Sequence, residues 1–335
     1  MGEQSEKEAY RIRYEAFGPP EEVLRGERMP VEPPGQGEVL VRMLARPVNP
    51  SDLLPVRGVY AHRTRLPGIP GYEGVGIVEE TGPGVPRSLL GRRVLPLRGE
   101  GTWQELVRSE ARWAVPVPDW MEDETAAQLY INPLTAWLVC TEVLALRPGD
   151  PLVVNAGGSA LGRLLAQLAP VLGYRLFAAV RSSRDEVTLL ALGASRASSA
   201  KGAELLAEVR EWTEGEGAAA AIDSVGGDSG AELAACVRPG GTVLALGLLS
   251  GQPVDWASVA QSTGVRPALF HLRHWNARVT PAAWHGAFEQ LALLLESGRL
   301  ALPPVGWRYP LREFREALRA EQARAGRDGK VLLTR

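Results

Sequence analysis

The chain has 335 residues, 45% of them hydrophobic, and a formal net charge of −2. That length calls for two cores rather than one, and the near-neutral balance excludes an electrostatic footprint for nucleic acid or an anionic membrane surface. No apolar stretch reaches transmembrane length. The start Met1-Gly2-Glu3-Gln4-Ser5-Glu6-Lys7-Glu8 is acidic and lacks the apolar core of a secretory signal or the arginines of a transit peptide, so a cytoplasmic location is expected.

The first third reads as short strands, Arg11–Ala16, Glu38–Ala45, Val75–Glu80, Arg92–Leu97 and Trp103–Val107, broken by Gly-Pro, Pro-Pro-Gly and Gly-Pro-Gly turns. From about Glu122 helical periods alternate with the short apolar runs Leu152–Asn155, Leu176–Val180, Ala218–Ile222 and Thr242–Leu246. That alternation predicts βαβ crossovers and a parallel sheet. The tail predicts a helix over Ala282–Ser297, a strand near Trp307–Tyr309, a helix near Leu311–Glu321 and a closing strand Val331–Thr334 able to rejoin the first sheet. The two cysteines, Cys140 and Cys236, are far apart and have no histidine at ligand spacing. That pattern argues against structural zinc and makes Cys140, within an apolar run, a small buried hydrophobe.

The strand Pro151–Asn155 runs into Ala156-Gly157-Gly158-Ser159-Ala160-Leu161-Gly162 and then an apolar helix. Bare backbone at Gly157 and Gly158, together with the N–H groups of Ser159, Ala160 and Leu161 at a helix N-terminus, suits a dinucleotide pyrophosphate, with Gly162 allowing close packing of the helix on the strand. Ser159 replaces the second glycine of the usual G-x-G-x-x-G, so the motif is weak by itself. The next strand ends in Arg181-Ser182-Ser183-Arg184, where an NAD site would usually carry an acid for the ribose 2′-hydroxyl. Guanidinium groups at Arg181 and Arg184 and the hydroxyl of Ser182 suit a 2′-phosphate, and the expected cofactor is NADPH.

Asn49-Pro50-Ser51-Asp52 is followed by Gly58-Val59-Tyr60 and by Pro70-Gly71-Tyr72-Glu73-Gly74-Val75-Gly76. The order of these motifs resembles the medium-chain dehydrogenase/reductase superfamily, and their spacing is similar to its zinc-free 2-enoyl thioester reductases of the mitochondrial trans-2-enoyl-CoA reductase type. Gly101-Thr102-Trp103, Asn132-Pro133-Leu134-Thr135-Ala136-Trp137 and Phe270-His271-Leu272-Arg273-His274-Trp275 extend the match over nearly the whole chain. The resemblance implies a GroES-like β-rich catalytic domain over 1–125 and 273–335, and a Rossmann doubly wound parallel sheet over 126–272. It puts Asn49-Pro50-Ser51-Asp52 and Gly71-Tyr72-Glu73 where a zinc dehydrogenase carries cysteine and histidine ligands, Tyr72 at the position of a histidine, hence no metal; Tyr72 is expected to fill space and Glu73 to bond nearby backbone.

In that family the tyrosine matching Tyr60 is the proposed proton donor. The chemistry stands independently: hydride addition to the β-carbon of an enoyl thioester leaves an enolate, and a phenol with an ordinary pKa near ~10 stays protonated to supply the α-carbon. Asn49 is a second candidate catalytic residue. Asn132, Gly247, Phe270 and Lys330 join the expected cofactor contacts, and Trp103, Tyr130 and Trp275 the substrate pocket. Phe270 and Trp275 have the alternation of a strand edge facing a ligand. The resemblance also implies a homodimer. Two rival readings remain, an NADPH:quinone oxidoreductase on the same scaffold and a non-catalytic NADPH-binding scaffold or sensor.

Overall fold

The structure is a computed structural model that describes residues 7–323 and 329–335; Met1–Glu6, on which the expected lack of a leader partly rests, lies outside the described residues. The chain divides into two compact units, one formed by 1–131, 280–289 and 302–335, the other by 132–279 and 290–301. Relative to the expected boundaries, 126–131 falls in the first unit and 273–279 and 290–301 in the second. The helix Pro281–Glu296 contributes its first half to one unit and its second half to the other.

In the first unit the strands are β1 (Glu8–Arg13), β2 (Arg25–Pro30), β3 (Glu38–Pro47), β4 (Val75–Thr81), β5 (Arg93–Leu95), β6 (Leu106–Glu110) and β7 (Val115–Pro116). β1 and β2 make an antiparallel pair. β3, long and nearly continuously buried, is the spine of a largely antiparallel sheet, pairing with β4 and with β6. The closing strand rejoins this sheet as expected: Leu332 lies opposite Pro47 and Thr334 opposite Ala45. Its core gathers Ile12, Tyr14, Leu53, Val56, Trp103, Phe314, Leu318, Val331 and Leu333. Arg46 is fully buried beside it, donating to the carbonyls of Thr102, Gln104 and Leu333 and so tying three segments together. Burial pulls the Arg46 guanidinium down to about 9, the nearby Glu105 carboxylate opposing the shift.

The second unit contains β8 (Pro151–Val154), β9 (Arg175–Ala179), β10 (Arg196–Ser198), β11 (Ala218–Asp223), β12 (Val237–Ala245) and β13 (Arg266–Leu269), all parallel, in the order β10-β9-β8-β11-β12-β13. Counted from β8 this is 3-2-1-4-5-6, the doubly wound Rossmann arrangement, whose order reverses beside β8. The run of four alanines and Ile222 in β11 fits a strand covered on both faces. The remaining strands, β14 (Val305–Pro310) and β15 (Lys330–Thr334), belong to the first unit's sheet. Cys140 is buried, its Sγ 3.6 Å from the Tyr174 hydroxyl. No helix of the described residues is long and apolar enough to cross a membrane.

Candidate functional site

In the first unit, Asn49 caps the short helix Pro50–Leu53 in a reciprocal box with Asp52, whose Oδ2 accepts from the Asn49 N–H at 2.8 Å. The other Asp52 oxygen accepts from the Tyr72 N–H at 3.0 Å, which fastens the Gly71-Tyr72-Glu73 turn to the helix. Gly71 is forced there: its φ is +97°, and an added Cβ would lie 2.4 Å from Thr102 Oγ1. Glu73 is fully enclosed; Oε1 accepts from Asn49 Nδ2 at 2.7 Å, and Oε2 from the backbone N–H groups of Tyr130 (3.0 Å) and Ile131 (2.8 Å). Lys330 Nζ completes the cluster by donating to Asn49 Oδ1.

Asn49 uses both ends of its carboxamide on Glu73 and Lys330 and is 2% exposed, so it braces the cluster. Lys330 is buried, its ammonium donating to Asn49, and its charge works against the burial that raises the Glu73 carboxyl. Burial likewise pushes the Asp52 carboxyl up to about 7, the hydrogen bond from the Asn49 N–H and the charge of Glu73 acting in opposite senses on it.

Tyr60 lies in the turn that follows. Its carbonyl accepts from the N–H groups of Arg63 and Thr64 and from Thr64 Oγ1, which fixes the turn, and the Arg63 guanidinium sits 3.8 Å over the phenol ring. Tyr72 does not fill space as expected: it is 42% exposed, and Tyr60, Arg63, Asp52 and Tyr14 all bear on its phenol electrostatically, the net effect being an upward shift led by desolvation. Trp103 is a core residue rather than a pocket residue, fully buried among Ile12, Tyr14 and Leu53. Tyr130 is buried against Trp284 and Phe288, ring centroids 5.8 and 6.5 Å away.

In the second unit β8 ends at Val154 and the chain turns through Ala156, a non-glycine at φ +50°, into the helix Ala160–Leu172. Gly157 lies against β9, where an added Cβ would be 2.9 Å from that of Ala178. Gly162 lies against the Gly157 backbone itself, where a Cβ would be 2.2 Å from the carbonyl oxygen. Ser159 caps the helix, its hydroxyl accepting from the Gly162 N–H at 3.1 Å, while Ala160 and Leu161 form the first turn half-buried. Ser182 caps the helix Ser183–Leu192 through the Arg184 N–H, and Arg181 and Arg184 stand exposed, with no ion-pair partner among the described residues. Sequence reasoning missed a supporting pair: Asn155 Nδ2 donates to buried Asp223 Oδ1 at 2.6 Å, and that oxygen also accepts from the N–H groups of Val225 and Gly226. Both residues stand at strand ends, the one signal available.

Four further candidates lie elsewhere in the second unit and at its border. Gly247 is an exposed loop glycine whose absent Cβ admits the Ser224 carbonyl, 2.8 Å from where that atom would be. Phe270, half-buried, follows β13 and donates its N–H to Ala245. Trp275 is on the short helix Leu272–Asn276 rather than a strand edge, because His271 Nδ1 accepts from the Arg273 N–H and starts a helical turn; its indole N–H donates to Glu142. Asn132, half-buried, is in the π-type turn Tyr130–Leu134.

Comparison with known proteins gives matches to an alcohol dehydrogenase GroES-like domain over residues 35–119 and to a zinc-binding dehydrogenase model over 160–291. Among the described residues no group of three or more His, Cys, Asp or Glu side chains could hold a metal ion. The chain is 33% identical over 319 residues to the mitochondrial enoyl-[acyl-carrier-protein] reductase of Xenopus tropicalis, covering 92% of this chain and 91% of that one. A Bacillus thuringiensis crystal structure, assigned provisionally as an NADPH:quinone reductase, is 49% identical with a TM-score of 0.95, covering 98% and 99% of the two chains. The Escherichia coli quinone oxidoreductase complexed with NADPH is 25% identical with a TM-score of 0.88, covering 98% of this chain and all (100%) of that one.

Proposed function

The chain belongs to the medium-chain dehydrogenase/reductase family, and on that premise we propose that it is an NADPH-dependent, zinc-independent reductase of conjugated double bonds whose substrates are trans-2-enoyl thioesters. The cofactor fits the second unit's residues. Gly157 and Gly158 leave backbone bare before a helix N-terminus, and the exposed cations Arg181 and Arg184, without an ion-pair partner among the described residues, answer the charge of a 2′-phosphate. When bound, NADPH supplies a hydride to the β-carbon of the acceptor.

The observation that carries the reading is the phenol of Tyr60 beneath the Arg63 guanidinium. A proton given to the α-carbon leaves a phenolate, and a cation over the ring favours that product. Conjugation spreads the substrate's negative charge onto the thioester oxygen, which lessens the need for a Lewis acid. The Asn49-Pro50-Ser51-Asp52 segment, which matches a ligand-bearing stretch of zinc-dependent relatives, supports this: the Asn49 carboxamide is bonded to Glu73 and Lys330.

The test is NADPH oxidation followed by absorbance with crotonyl-CoA, a longer trans-2-enoyl-CoA and a simple quinone in parallel. Preferential turnover of the enoyl substrates is expected; turnover of quinone alone overturns the proton-donor role. The quinone reading is favoured by the assignment of the 49% identical structure, and it requires no donor, so Tyr60→Phe would leave it intact. Homodimerisation belongs to the same proposal, supported by the edge position of β13 with Leu269 70% exposed; a monomeric mass by light scattering would refute it.

A further inference from the structure

The glycine-rich turn of the second unit holds a carboxylate that the cofactor reading leaves unexplained. Asp185, in the first turn of the helix Ser183–Leu192, lies with its side chain against Gly158: an added Cβ on that glycine would be 2.7 Å from Asp185 Oδ2. Arg163, in the first turn of the helix Ala160–Leu172, donates from Nε to the Gly158 carbonyl at 3.2 Å and approaches Asp185 Oδ1 with its terminal nitrogen at 3.5 Å. One guanidinium therefore bridges the turn and the acid. Asp185 is only four positions from Arg181 and next to Arg184 in sequence, close to where an acid would bind the ribose 2′-hydroxyl of a non-phosphorylated cofactor.

We propose that Arg163 is a specificity-determining residue for the cofactor: it holds Asp185 against the glycine-rich turn and neutralises it, so that the strand end presents net positive charge to a 2′-phosphate. The inference rests on the NADPH assignment. Without Arg163 the carboxylate is an uncompensated anion beside a phosphate site, and it is released to accept from a ribose hydroxyl. Loss of Arg163 therefore weakens NADPH binding while NADH binding holds or improves. Asp185 is the intermediary, so the effect of Arg163 depends on the acid being present.

Dissociation constants for NADPH and for NADH, measured by quenching of tryptophan fluorescence, test this on wild type, Arg163→Gln, Asp185→Asn and the double variant, with thermal unfolding showing that each is folded. Arg163→Gln is expected to lower the NADPH-over-NADH preference about three- to fivefold, the size of one partly exposed charge neighbour. In the Asp185→Asn background the same substitution is expected to change the preference by less than about twofold. An unchanged preference in Arg163→Gln, or an equal loss with and without Asp185, overturns the inference while leaving the NADPH assignment standing. Equal wild-type affinities for the two cofactors overturn both.

Discussion

The cluster Asn49–Asp52–Glu73–Lys330 and the strand end Arg181–Arg184 are both charged, yet they differ in how the charge is met. In the first, two carboxyl groups, an amide and an ammonium are buried and answered by one another and by backbone N–H groups. In the second, two guanidinium groups stand in water without protein partners among the described residues. A buried charge has to be answered within the fold, because desolvation costs more than most single contacts return. An exposed, unpaired cation at the end of a Rossmann strand costs little to keep and is available to a ligand. Charge type alone thus does not identify a binding residue; the accounting of its partners does.

The sharpest way to break that contrast is to remove one partner from the buried cluster. Glu73→Ala removes a carboxylate from beside the buried Lys330 ammonium and leaves the Tyr130 and Ile131 N–H groups without the acceptor they have in the fold, and is expected to cost about 3–5 kcal/mol in urea unfolding. A loss below about 1 kcal/mol would mean that the cluster does not brace the unit. Next in size, Tyr60→Phe should lower kcat on crotonyl-CoA by about 100-fold or more while NADPH affinity stays within about twofold; a matching loss of affinity would reassign the residue to binding.

Arg181→Ala sharpens the other side: NADPH affinity should fall about tenfold and NADH affinity should hold, by equilibrium fluorescence. An equal fall for both would remove the 2′-phosphate assignment. The smallest expected effect is a pH slope. Asp52 stands near 7 in the fold against an ordinary 3.8, so between those values the folded chain retains a proton that the unfolded chain has released. Stability therefore falls as pH rises through that window, and Glu73, shifted the same way, adds to it. Melting temperatures across the window should decline in wild type and flatten in Asp52→Asn.

The sheet of the second unit was legible because its strands are apolar runs separated by helical periods, and because Gly157 and Gly162 mark a turn where backbones meet. β2 escaped notice because Arg25-Gly26-Glu27-Arg28-Met29-Pro30 carries charge on an outward face. β13 did so because it is an exposed edge strand containing Pro267, a residue such positions tolerate. Tyr60 was legible from motif spacing, whereas the roles of Asn49 and Lys330 were not, since their partners are separated by 24 and 281 positions. Trp275 misled because the His271 side chain, and not apolar alternation, decides the local conformation. Arg163 and Asp185 read as ordinary helix-surface charges until the fold brings both to Gly158.

The bond between Lys330 and Asn49 also has a consequence in time. On a ribosome, Asn49 and Glu73 emerge long before their ammonium partner, and the whole of the Rossmann sheet is synthesised in the interval. The second unit, continuous over 132–279, can assemble most of its sheet during elongation, whereas the first must wait for a contact of very high sequence separation. Until then its two buried acids have only water and amides to answer them, which makes the nascent first unit the stage of synthesis most exposed to misfolding.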